Sequence, residues 1–194
     1  MKSLFLKSIT AIFLLLCSVS IYAQSSFQFK IDSKNSIIHW KGFKPMGSQS
    51  GTIKLLSGIV EVENDIIIEG NFVADMNTIT DNGGSAKLEK HLKSVDFFNT
   101  KIYPISKFNI KTIENIEGKT YLVGDLTIKN ITKQITIPAT ILINQNTVKI
   151  TTETFKIDRT DFNVKYKSKS FFNNLKDSFI RDKFDLQITI IAKN

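Results

Sequence analysis

The chain has 194 residues, with 26 Lys or Arg against 18 Asp or Glu, a formal charge of +8 and a single cysteine, Cys17. A hydrophobic fraction of 42% with 15 Phe excludes a disordered polymer, and the lone cysteine excludes an intrachain disulfide and a cysteine-based zinc site. One domain is the default at this length, and it buries enough surface to hold together by packing alone.

Lys2 and Lys7 flank the start of an apolar run from Ile9 to Val19, and Ile21-Tyr22-Ala23 ends on a small residue. Eleven apolar residues fall short of the roughly 20 that cross a bilayer, so the pattern is that of an export signal cleaved after Ala23. The expected division is a signal peptide over 1–23 and one barrel domain over 24–194, in the periplasm or secreted. Leu14-Leu15-Leu16-Cys17 resembles a lipoprotein box and supplies the alternative, a lipid anchor on Cys17, although Leu16 stands where such boxes carry a small residue. Loss of Lys2 and Lys7 leaves a mature charge of +6. That balance suits an anionic ligand or an anionic membrane surface, while scattered lysines on an exported chain exclude nucleic acid as a partner.

Period-two alternation runs through the rest. Strands are expected at Phe27 to Ile31, Ile37 to Phe43 and Thr52 to Val62. In the next, Ile66, Ile68, Phe72, Ala74 and Met76 are expected on one face. A helix interrupts from Ser85 to Val95, where Leu88, His91, Leu92 and Val95 form one face and Ser85 is placed to cap it. Strands resume at Lys107 to Ile113, around Leu122, Leu126 and Ile128, at Ile135 to Ile143, at Thr147 to Phe155 and at Phe184 to Ile190, with a second helical turn expected near Phe171 to Lys176. Short turns such as Glu63-Asn64-Asp65 and Lys129-Asn130 imply an antiparallel meander, and Pro138 belongs at an edge, a bulge or a seam. About eight antiparallel strands with one short helix close as a barrel or pack as a sandwich; an eight-stranded barrel holds side chains or one elongated ligand.

The chemical inventory is small. His39 and His91 are the only histidines, no G-x-S-x-G elbow occurs, and no thiol remains after cleavage, so no catalytic, metal or cofactor site is expected. Gly83-Gly84-Ser85-Ala86-Lys87 lacks the spacing of a phosphate loop. His39 beside Trp40 reads as structural, whereas His91 is either a half-buried hydrogen-bonding residue or a polar contact at a cavity mouth. Asp158 and Asp161 flank Arg159, as an ion-pair network at a strand end or as an anion site. Lys165, Lys167 and Lys169 alternate, which in an extended segment places three ammonium groups on one face, for edge protection or for phosphate and acidic headgroups. The phenylalanines supply core and, in part, the wall of an apolar tunnel.

Several blocks together resemble the YceI-like, polyisoprenoid-binding family. His91-Leu92-Lys93-Ser94-Val95-Asp96-Phe97-Phe98 with Tyr103-Pro104 and Phe108 resembles its HL-x-S-x-DFF signature, Val123 to Lys133 its VxGdLTIkGiTK block, and Ile157 to Asn163 its IDRxdFg block. Ile31-Asp32 with Ser36 and Ile38 is similar to its opening strand. Asn130 and Asn163 replace glycines usual in these blocks, and the Asp-Pro-Trp-Gly turn of many members is missing. The resemblance implies an all-β, lipocalin-like extended antiparallel barrel that is not an enzyme and holds a long-chain isoprenoid or other amphiphilic lipid for carriage or sequestration. The tail is expected against some of Phe97, Phe98, Phe108, Leu126, Phe162 and Phe171. The head is expected near His91, Asp158, Arg159, Lys165 and Lys167. A transient membrane contact is the expected further partner, and a homodimer stays open. A structural or adhesive β protein, or a hydrolase using Arg159 and His91 on an anionic substrate, are the alternatives.

Overall fold

The computed structural model describes residues 26–194. The signal expected over 1–23 and Cys17 lie outside the described residues.

Ten strands and one helix follow in order: β1 (Phe27–Ile31), β2 (Ile37–Lys44), β3 (Gly47–Glu63), β4 (Ile66–Asp75), α1 (Ala86–Lys93), β5 (Ile105–Ile116), β6 (Lys119–Ile128), β7 (Ile131–Asn144), β8 (Thr147–Thr152), β9 (Phe155–Asp158) and β10 (Lys183–Lys193). Pairing runs from β10 through β2, β3, β4, β5, β6, β7 and β8, and β8 pairs with β10 again. β1 continues the β2 position, bridging β3 and the end of β10, and β9 continues β8 along the other edge of β10. The sheet is therefore an antiparallel barrel with eight strand positions, closed where β8 pairs with β10 and parted between β9 and the first half of β7, Ile131–Pro138, which pairs with β6 alone. Pro138 lies on β7 beside the break between β8 and β9, where its carbonyl accepts from Glu153 N at 2.9 Å.

The two ends of the barrel are built differently. β3–β4, β5–β6 and β7–β8 join through tight turns at one end, the turn end. Asn64-Asp65 and Glu117-Gly118 there have positive φ at both residues, the geometry that matches strand twist in a two-residue hairpin. The opposite end receives both long connections, residues 76–104 between β4 and β5 and residues 159–182 between β9 and β10, and is the crossover end. The β2–β3 and β6–β7 hairpins also turn here. Lys129 and Asn130 have φ of 50° and 61°, and Asn163 has φ of 57°, so both family glycines are replaced by the residue that best tolerates the left-handed region.

Bulges reset the side-chain phase. Glu61 pairs with Glu69 but Val62 pairs with Ile67, so Ile68 is an extra residue on β4. Ile66 and Ile68, expected on the core face with Phe72, consequently point outward, and Ile67 is buried instead. Leu56 is an extra residue on β3 in the same way. Gly51 permits a close approach between β3 and the connection that follows β4: a Cβ there would lie 1.8 Å from Thr80 O.

α1 begins at Ser85, whose Oγ accepts from Leu88 N at 3.3 Å. The apolar face ends one turn earlier than its spacing suggests. The chain leaves the helix at Ser94, and Val95, expected to pack inward, is 74% exposed. The second helical turn is a 3-10 turn at Lys176–Ser178, later than expected.

Candidate functional site

At the turn end, inward side chains of opposite strands meet: Val60, Leu122, Val148, Ile150 and Ala192 are among the most deeply buried residues. Toward the crossover end they do not meet, and a cavity of about 160 Å³ remains. By this measure one water needs about 10–15 Å³, so the space has room for on the order of ten waters while its wall is almost wholly carbon. Small inward residues, Gly42, Ala74 and Ser106, help to keep it open. Trp40, Phe72, Phe108, Leu126, Phe184 and Leu186 supply the barrel wall, and Met76, Ile79, Leu92, Phe97, Phe98 and Ile180 come from the two long connections that close the end. Gly124 lets the Phe108 ring lie on β6, since a Cβ there would sit 2.7 Å from Phe108 Cζ. Phe108 stacks beside Phe72 at 6.5 Å between centroids.

Arg159 borders the cavity and is only 4% exposed. Its Nε donates to Arg181 O at 3.2 Å, Nη1 to Val164 O at 2.7 Å, and Nη2 to Ile180 O at 3.0 Å and Asp182 Oδ1 at 3.3 Å. Burial pulls its pKa down, and the nearby Asp182 and Asp158 carboxylates oppose that. The arginine thus ties both ends of the 159–182 connection together. Its ion pair is with Asp182 and not with the adjacent aspartates, because Asp158 Oδ1 is engaged by Thr160 N at 2.9 Å and Thr160 Oγ1 at 2.6 Å, capping the 3-10 turn at Arg159–Phe162.

The remaining sequence candidates divide. Phe97, Phe98, Phe108 and Leu126 line the cavity; Phe162 and Phe171 fall outside its lining. Phe162 is 2% exposed and packs in the core, turned away from the cavity by the 3-10 geometry of Arg159–Phe162. Phe171 is 49% exposed, with Lys165 Nζ 4.4 Å from its ring centre. His91 is half-buried, 3.2 Å from Asp96 Oδ2 and edge-on to Phe97 and Tyr166, so it joins α1 to the second connection behind the cavity wall. Residues 163–182 form an irregular segment with several turns and no strand, Lys167 has φ 51°, and Lys165, Lys167 and Lys169 do not form the extended one-faced row expected of them. Each lies over a different aromatic ring, those of Phe171, Tyr166 and Phe179. His39 is exposed on the outer face of β2.

Trp40, Met76, Ile79, Ser106, Phe184 and Leu186 belong to the cavity and were missed as site residues. The signal for most was the inward phase of alternation at strand ends adjoining the long connections.

Comparison with known proteins settles the family. A family model described as the YceI-like domain matches residues 24–192. The chain belongs to the YceI-like family. Protein YceI of Escherichia coli O157:H7 is 28% identical over 92 residues, which is 47% of this chain and 48% of that protein. The chain thus spans about half the length, or less, of the curated relatives it matches. Among solved structures, BcnA of Burkholderia cenocepacia is similar at a TM-score of 0.70 and 22% identity, covering 84% of this chain and 99% of that one. A polyisoprenoid binding domain from Saccharophagus degradans, implicated in plant cell wall breakdown, is similar at a TM-score of 0.62 and 10% identity, covering 85% and 97%. These likenesses show the YceI-like barrel fold.

Proposed function

We propose that this YceI-like protein is an exported, non-catalytic carrier that holds the tail of a long-chain amphiphile, such as a polyisoprenoid, in the cavity at the crossover end. The observation that carries this reading is the carbon-walled space of about 160 Å³ formed by Trp40, Phe72, Phe97, Phe98, Phe108 and Leu186. Each buried methylene contributes about 0.8 kcal/mol, so retention comes from the tail and needs no poised chemical group. The polyisoprenoid binding domain of the same fold supports the choice of tail.

The charge distribution supports delivery at an anionic bilayer. Exposed Lys44, Lys101, Lys169 and Lys176 belong to the crossover end, together with exposed Met46, Ile102, Phe171 and Phe172. The turn end carries Glu63, Asp65, Glu114 and Glu117 beside Lys119, Lys149 and Lys193. An anionic surface therefore favours the end that contains the cavity.

Lipid extraction and mass analysis of the protein purified from the envelope of its own cells tests the reading. A stoichiometric long-chain lipid is expected, on a chain whose intact mass begins after Ala23. Bare protein in native mass spectrometry would overturn carriage, and an acylated Cys17 would replace free export by anchoring.

A further inference from the structure

We propose that Ser106 recognises a neutral, oxygen-bearing group on the bound chain, so that the polar end of the ligand is held inside the cavity and not at the Arg159 rim. The inference rests on the lipid-carrier reading and specifies the ligand's chemistry. Ser106, the second residue of β5, pairs with Ala74 on β4, with Phe108 two residues further along the same inner face. The residue is 8% exposed and lines the cavity, and its Oγ has no hydrogen-bond partner among the described residues. Buried hydroxyls without partners are rare in folded proteins, because the lost hydration is not replaced.

The other buried polar groups of the wall are already engaged. Trp40 Nε1 donates to Thr80 O at 3.1 Å. Arg159 directs four donations at Val164 O, Ile180 O, Arg181 O and Asp182 Oδ1, with both nitrogens of its fork and Nε committed. Ser106 thus holds an unspent group in the wall of the cavity, able both to donate and to accept.

The sign of the charge on the ligand follows. A phosphate or carboxylate drawn to Ser106 would lack a counterion there: of the cations in the lining, Arg159 is committed, Arg181 is exposed on the second connection, and Lys107 alternates to the exposed face of β5, and burying an unpaired charge is far more costly than burying a neutral oxygen. An alcohol or a carbonyl needs the single hydrogen bond that Ser106 supplies.

The test uses the full mature chain in mixed micelles with equal amounts of farnesol and farnesene, which differ by the hydroxyl, and reads bound lipid by native mass spectrometry. Geranylacetone against farnesene is run in parallel to separate a carbonyl ligand from an alcohol. The parent protein is expected to favour at least one oxygenated lipid. Ser106→Ala is expected to reduce that preference about tenfold, the factor that one hydrogen bond of about 1.4 kcal/mol represents, with total occupancy retained. Ser106→Thr, which restores a hydroxyl, is expected to restore the preference. Equal preference in the parent and Ser106→Ala for both lipids would overturn the assignment while leaving lipid carriage standing. No retention of any of the three lipids by the parent would overturn both.

Discussion

The two halves of the barrel use the same strands for opposite ends. At the turn end, Val60, Leu122, Val148 and Ile150 come from strands joined by two-residue hairpins, and their side chains interlock across a narrow interior. At the crossover end β2, β4 and β5 carry Gly42, Ala74 and Ser106 inward, and the space between them is closed by Leu92, Phe97, Phe98 and Ile180 from the long connections. Strands cannot move apart without breaking their ladders, whereas connections docked by side chains can. The half closed by hairpins therefore carries stability, and the half closed by connections is free to admit a ligand.

Arg159 is where that distinction is most easily broken, because it holds the second connection across the mouth. Arg159→Leu leaves the carbonyls of Val164, Ile180 and Arg181 and the Asp182 carboxylate without their donor. Breaking a buried pair of this kind costs about 3–5 kcal/mol. The denaturant midpoint is expected to fall accordingly, and bound lipid with it. That effect is larger than a solvated arginine at a mouth would have, since the guanidinium is part of the closure.

Truncation sharpens the contrast between the halves. Ile150→Ala, at the turn end, is expected to cost about 2–5 kcal/mol in urea unfolding, because a packed site cannot collapse around the lost carbons. Leu126→Ala already borders open space and is expected to cost less than Ile150→Ala while changing the lipid-to-protein ratio. Equal losses of stability at the two sites would erase the distinction. Ala74→Phe, which fills the cavity from β4, is expected to lower bound lipid severalfold without a comparable fall in the unfolding midpoint, as read by native mass spectrometry and urea titration.

The ends are also expected to differ toward membranes. Lys44→Gln with Lys101→Gln and Lys176→Gln should weaken sedimentation with phosphatidylglycerol-containing vesicles by roughly tenfold or more at low salt, since each lysine near an anionic surface is worth about 1 kcal/mol. Glu63→Gln with Asp65→Asn, at the turn end, should not weaken it. Vesicles of phosphatidylcholine alone should bind neither protein appreciably.

The smallest effect is expected at Asp32, beside the seam of β1 and β10. Lys193 Nζ lies 2.6 Å from its Oδ2, and Lys193 and Asn35 hold the carboxyl well below the usual carboxylate range. A depressed native pKa gives stability that is complete above the unfolded value, about 4, and is lost as pH falls toward the native value. The small gap in urea midpoint between the parent and Asp32→Asn should therefore be constant above about pH 5 and shrink below about pH 4, as is usual for an exposed pair.

The alternation of Ile135 to Ile143 and of Phe184 to Ile190, the helix spacing around Leu88 and Leu92, and the turn residues at Asn64-Asp65 and Lys129-Asn130 were enough to read an antiparallel β chain with one helix. Those features are local: side-chain period and φ preference act over a few residues. The wall residues Phe97, Phe98, Phe108 and Leu126 were legible because they fall in family blocks or on inward phases. Phe162 and Phe171 lie outside the cavity lining because 3-10 and turn geometry redirects side chains that sequence spacing treats as extended. Ile66 and Ile68 faced outward because a single bulge residue reverses the phase, and a bulge is decided by pairing with β3, not by the residues of β4. The partner of Arg159, the orphaned hydroxyl of Ser106 and the separation of a filled half from an open one depend on contacts between segments distant in sequence. Only the closed barrel brings those segments together, so only the tertiary structure decided where the space lies and which side chains face it.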